Sequence, residues 1–147
     1  MNEKKKNLII WSLLIILSAV SAWFIVSGKM QYMEREFADV NAAKTGGEFE
    51  KGWLPSFLPE DAASIKVINN TDDRSALVSF SFSSAPEMAA CKETPLKDAT
   101  LPAERVVLWW PEELTEKGKA EAGYSIFKCD DGQAAVNAGK KEVYFWK

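Results

Sequence analysis

The sequence predicts an α+β protein: an N-terminal transmembrane helix followed by a small antiparallel-sheet domain with two short helices and one disulfide. Three observations predict it. Residues 8–26, LIIWSLLIILSAVSAWFIV, contain no charged side chain. Residues 76–83 alternate Ala76, Val78, Phe80, Phe82 against Leu77, Ser79, Ser81, Ser83, the two-residue period of a half-buried strand. Finally, two cysteines, Cys91 and Cys129, lie beyond the apolar run and have one pairing available.

At 1.5 Å per residue the apolar run nearly crosses a hydrocarbon core of about 30 Å, and Ser27 and Gly28 extend it before Lys29. Trp11 and Trp23 lie near its two ends, where indoles favour the membrane interface. Lys4, Lys5 and Lys6 precede it, a positive-inside signal. The expected layout is a cytoplasmic tail (1–7), a lipid-embedded helix (8–28), a juxtamembrane helix and linker (29–51) and a periplasmic domain (52–147). The protein would then sit in a bacterial inner membrane. A cleaved signal peptide is the rival reading, with Val20-Ser21-Ala22 as cleavage site. Against it, Trp23-Phe24-Ile25-Val26 prolongs the apolar run beyond a usual signal core. An oxidising compartment suits a Cys91–Cys129 bond, since no CxxC motif is present and the chain contains no histidine to complete a Cys/His zinc site.

Met30, Met33, Phe37 and Val40 recur at helical spacing, so the membrane helix is expected to continue to about Lys44 and stop at Thr45-Gly46-Gly47. That stripe, with Ser18 and Ala22 one turn apart in the anchor, would allow a homodimer through the anchor and juxtamembrane helix. Pro55 and Pro59 exclude a regular helix over 53–63. Strands are expected at 64–69, 76–83, 105–110, 123–129, 133–137 and 142–146, with turns at 70–73, 130–132 and 138–140. Ser84-Ala85-Pro86-Glu87 has the form of a capping box, predicting a short helix to about Lys92. Pro111-Glu112-Glu113-Leu114 predicts a second, ended by Gly118.

The pattern Trp53-Leu54-Pro55-x-x-Leu58-Pro59-x-x-Ala62, followed by strand, turn and strand, resembles that of small bacterial envelope proteins anchored by one apolar helix, a group with no assigned activity. The resemblance implies an envelope location and brings no catalytic residues with it.

Function classes narrow by chemistry. From Met30 onward there are 14 basic and 20 acidic residues, a net charge of −6 that disfavours nucleic acid. Without histidine, a Ser-His-Asp or Cys-His device cannot be built. The adjacent carboxylates Asp72-Asp73, Glu112-Glu113 and Asp130-Asp131 fall in predicted turns or a first helical turn, where acids are favoured locally. No catalytic, cofactor-binding or metal-binding residue is therefore expected. The reading is a non-enzymatic module that binds another envelope protein as subunit or accessory factor. An immunity-type inhibitor of a periplasmic toxin is the alternative, and an enzyme with an unrecognised site the third. Partner-binding candidates are Trp109, Trp110 and Trp53, because tryptophans dominate interface hot spots. Consecutive Trp109 and Trp110 on a strand would face opposite sides of the sheet.

Overall fold

The computed structural model describes residues 2–30, 32–118 and 123–147. It forms two compact units, Met1–Tyr32 and Met33–Lys147. The first is one helix, α1 (Glu3–Met30). An 18-residue window within its Glu3–Ser27 stretch has a mean hydropathy of 2.5, and the stretch is long and apolar enough to cross a membrane. The serines in that stretch do not spoil it. Ser12, Ser18, Ser21 and Ser27 donate their hydroxyls to Leu8, Ile15, Leu17 and Trp23 carbonyls at 2.8 Å, so none needs water.

The second unit, the head, is built on a seven-stranded sheet. Its strands are β1 (Tyr32–Asp39), β2 (Ala63–Asn70), β3 (Ala76–Ser81), β4 (Cys91–Glu93), β5 (Ser125–Cys129), β6 (Gly132–Asn137) and β7 (Glu142–Trp146). They lie in the order β1-β2-β3-β7-β6-β5-β4, so β7 is the central strand. The pairs β2–β3, β3–β7, β6–β7, β5–β6 and β4–β5 are antiparallel. Two short helices, α2 (Val40–Thr45) and α3 (Glu48–Lys51), connect β1 to the segment before β2.

Register places the apolar residues on two faces. One row runs Val67↔Val78, Val78↔Phe145 and Ala134↔Phe145. On that face Ile65, Phe80 and Val143 join it, covered by Val40 and Ala43 of α2 and by Leu54, Ala62 and Phe82. The opposite face holds a smaller cluster of Ile126, Ala135 and Trp146, covered by Trp110 and Leu114. Close packing in the middle of the sheet needs Gly132, where any Cβ would collide with the Trp146 carbonyl and the Phe145 ring. The β2–β3 turn closes as its composition dictates: the Asn70 and Asp73 side chains accept from the Asp72 and Ser75 amides, each at 2.9 Å.

The observed strands β2, β3, β5, β6 and β7 follow expectation to within about two residues at each end. Four elements differ. The juxtamembrane helix expected up to Lys44 is replaced, beyond Met30, by strand β1 and only then α2; Gln31 lies outside the described residues. Met33 and Phe37, four apart, satisfy a helical period and a two-residue period equally. What decides is that Arg35 and Phe37 turn inward while Glu34 and Glu36 stay exposed, an edge-strand pattern. The head thus takes in residues 33–51, and the helical seam suggested for a homodimer is absent from this stretch. Asp39 then starts α2, its carboxylate accepting from the Ala42 amide at 2.8 Å.

No helix forms at 84–92. Cys91 sits directly opposite Cys129, and the pairs Lys92↔Lys128 and Glu93↔Phe127 hold the chain extended as β4. Residues 105–110 form a loop rather than a strand, since its job is to carry Trp110 over the sheet. The second predicted helix shrinks to one 3₁₀ turn, Glu112–Leu114. Another 3₁₀ turn, Leu96–Asp98, was not expected.

Candidate interaction surface

The Trp53–Ala62 motif has a physical explanation. Leu54 and Pro55 are buried. The Leu58 amide donates to the Pro55 carbonyl at 3.2 Å, and the Ala62 amide to the Pro59 carbonyl at 3.1 Å. Each proline therefore opens one turn, and the two turns follow in tandem. Between them Phe57 reaches the core, edge-on to Phe145 with ring centres 5.8 Å apart. The motif shapes a wall, and it carries no reactive group.

That wall faces a second one at 84–87. Together Ser56, Phe57, Leu58, Pro59, Glu60, Asp61, Ser84, Ala85, Pro86 and Glu87 enclose a cleft of about 560 Å³. Its lining mixes polar and apolar surface in near-equal parts, and Glu60, Asp61 and Glu87 are exposed around it. The walls are tied to each other, because the Ser84 amide donates to Asp61 Oδ2 at 2.8 Å. Each is also tied back toward the disulfide. The Cys91 amide donates to the Met88 carbonyl at 2.9 Å, close behind the 84–87 wall. On the other side the Ser56 amide donates to Asp131 Oδ2 at 3.2 Å, two residues past Cys129. The Cys91–Cys129 bond joins these two roots. Replacing both cysteines by alanine should lower head stability by about 2–4 kcal/mol. Urea unfolding of the oxidised protein and the double variant measures it.

A second cleft, about 220 Å³, lies on the opposite face over β2, β3 and β7, lined by Ser64, Lys66, Ser79, Ser81, Trp109, Glu142 and Tyr144 among others. Its floor follows from register, Lys66↔Ser79 and Ser79↔Tyr144. The Tyr144 hydroxyl donates to Glu142 Oε2 at 3.1 Å. Burial, reinforced by the Glu142 carboxylate, holds that phenol above the ordinary tyrosine range.

The three tryptophans singled out for partner binding do not form one surface. Trp110 is fully buried. It packs edge-on against Tyr144, Trp146 and Trp109, and its Nε1 donates to the Leu114 carbonyl at 3.1 Å. It is core, so its assignment as a partner anchor is withdrawn. Trp109 is partly exposed in the same aromatic group, and its Nε1 donates to Glu34 Oε1 at 2.7 Å. With no strand here, the two indoles share one face of the sheet. Trp53 belongs to the other face's cluster, its ring under the Lys147 ammonium at 5.4 Å, while that ammonium also bonds the Gly52 carbonyl. Cys91 and Cys129 pair as expected. The acidic cleft was missed, although the doubled proline motif was its visible signal.

A single apolar helix joined to a disulfide-bonded, antiparallel head defines the class of protein. Residues 32–81 of the chain match the family model described as the YbbD head domain. The match spans β1 to β3 with the Trp53–Ala62 wall between them. No curated protein and no solved structure matches the chain.

Proposed function

We propose that this chain is a non-enzymatic binding module, anchored in the bacterial inner membrane by residues 8–28 with its head in the periplasm. There it engages another envelope protein as a subunit or accessory factor. The observation that carries the reading is the acidic, proline-walled cleft between residues 56–61 and 84–87. A mixed lining with Phe57, Leu58 and prolines among its walls and a carboxylate rim suits an extended partner segment that offers a few apolar side chains flanked by lysine or arginine. Tandem turns and the disulfide behind the walls keep the cleft preformed, which lowers the ordering cost of binding. The three lysines before the apolar run support the orientation, and the disulfide supports an oxidising compartment. The same acidity favours a second reading, an immunity-type inhibitor that neutralises a basic toxin.

Photo-crosslinking from position 58 in the full chain, in native membranes, should trap the partner. Glu60→Lys combined with Glu87→Lys, both at exposed positions, should leave the unfolding midpoint within experimental error. It should weaken partner binding by about tenfold or more at low salt. Unchanged affinity of the double variant for the trapped protein rejects the cleft as the binding surface. A toxin in the crosslink selects the inhibitor reading.

A further inference from the structure

The smaller cleft, over β2, β3 and β7, owes its shape to a bulge in β2. Ala63 pairs with Ser81 and Lys66 with Ser79, so two residues, Ser64 and Ile65, stand opposite Phe80 alone. Ile65 keeps its place in the core. Ser64 takes a left-handed φ of 50°, a conformation uncommon outside glycine and one that clusters at functional sites. Ser64 thereby joins Lys66, Ser79, Ser81, Glu142 and Tyr144 around the cleft. Trp109 forms a side wall, held by its bond to Glu34 and its edge contact with Trp110.

The lining restricts what could occupy it. Ser81 Oγ donates to the Ala63 carbonyl at 3.0 Å, and Glu142 Oε2 accepts from the Tyr144 hydroxyl, which leaves Glu142 Oε1 as an acceptor. Among the described residues, the side chains of Ser64, Lys66 and Ser79 make no hydrogen bond or ion pair. Lys66, Ser79 and Tyr144 lie in one row across three neighbouring strands, a floor about 10 Å wide. An apolar ligand is disfavoured, because it would strip water from an ammonium, a carboxylate and several hydroxyls without replacing it. One ammonium against one carboxylate gives no net charge to attract an ion, and Glu34 beside Trp109 tells further against anions. A volume of about 220 Å³ is below the range of about 300–1,000 Å³ usual for drug-sized ligands, so the occupant is compact. A sugar ring meets these conditions. It is neutral, its hydroxyls donate and accept as those of serine do, and its C–H face packs on an indole.

We propose that this cleft binds one pyranose unit of a saccharide, with Lys66, Ser79 and Glu142 bonding its hydroxyls and the Trp109 ring against its C–H face. Such a unit occurs both as a free sugar and within a glycan chain, and the chemistry that recognises it is the same. The site rests neither on the acidic cleft nor on the anchor reading of α1.

The test uses the full chain in a detergent without a sugar headgroup. The indole N–H signal of Trp109, assigned by its loss in Trp109→Phe, is followed by NMR during titration with glucose, galactose and N-acetylglucosamine. Glycine and acetate serve as charged controls. At least one of the sugars should shift the signal saturably, with a dissociation constant of about 1 mM, as suits so small a ligand. Lys66→Met and Ser79→Ala should each weaken that binding about tenfold or more, read on whichever variant keeps the wild-type melting curve. Lys92→Met, at an exposed lysine on β4, should bind as before. A trimer of the bound sugar that binds more tightly than the single sugar assigns the site to a glycan chain, and equal affinity assigns it to the free sugar. No saturable shift with any of the three sugars up to about 50 mM overturns the proposal. So does a shift with glycine or acetate alone, or sugar binding that survives both substitutions.

Discussion

Glu48→Ala should destabilise the head by about 3–5 kcal/mol, as expected for a buried ion pair left with one partner. Glu48 has no exposed surface. Its carboxylate meets the Arg35 guanidinium at two points, Oε1–Nε at 2.9 Å and Oε2–Nη2 at 3.0 Å, and receives Lys51 Nζ at 3.0 Å. Arg35 Nη2 also donates to Oδ1 of buried Asn69 at 2.7 Å. The network pins β1 and α3 to β2, three elements within the family-matched stretch. Removing Glu48 leaves a mostly buried guanidinium without its counter-charge, and the edge strand loses its inward tie. Lys51→Ala should change little, about 1 kcal/mol at most, because that ammonium is half exposed and water replaces the carboxylate. Paired urea titrations measure both. An apolar double replacement, Arg35→Met with Glu48→Leu, should recover much of the loss, because no charge is then stranded. A Glu48→Ala loss below about 1 kcal/mol would show that the pair is solvated in the folded protein.

Trp110→Ala should be of the same order, about 3–5 kcal/mol. The side chain is fully buried on the sheet face with the smaller core, where Ile126, Ala135, Leu114 and Trp146 are its main buried neighbours. Its ring lies 5.5 Å from Tyr144, 6.0 Å from Trp146 and 6.1 Å from Trp109, all edge-on. Little material stands ready to fill the space, since the covering 105–114 segment is a loop and one 3₁₀ turn. Relaxation should therefore be small and the cavity term large. The near-ultraviolet circular dichroism of the folded protein should fall with this one residue, as it reports the aromatic group. Trp109→Ala should cost less, about 1–2 kcal/mol, mainly through the lost bond to Glu34. If the two variants prove equally mild, Trp110 is not the keystone of this face.

The contrast between these neighbours shows what the sequence disclosed and what it hid. The strands of the second half were legible because turn residues bracket clean two-residue alternation, and β7 matches to the residue. The cysteine pairing was legible because two cysteines leave no choice. The loop at 105–110 was not. Val106, Val107, Leu108, Trp109 and Trp110 read locally as a strand. Only tertiary context, a bare sheet face needing one large indole, makes them a cover. Likewise β1 reads as helix because Met33 and Phe37 fit both periods, and the deciding partner, buried Glu48, is a residue type rarely expected in a core. The cleft depended on two loops about 25 residues apart meeting through Asp61 and Ser84, a contact that no local pattern encodes.

The central place of β7 has a consequence for when the head can form. Its neighbours are β3 and β6, and the pair Val78↔Phe145 joins residues far apart in the chain. As the polypeptide emerges N-terminus first, the three strands inside the stretch matched by the head-domain model are delivered early. They then wait with the inner edge of β3 open. The β4–β6 half waits in the same way. Neither half can be completed until the last strand in chain order slots between them, so the nucleus is non-local and its loop-closure entropy falls due late. Docking of β7 is thus a single ordered closing event, and a head whose last strand has yet to arrive is kept open at both inner edges by its own topology.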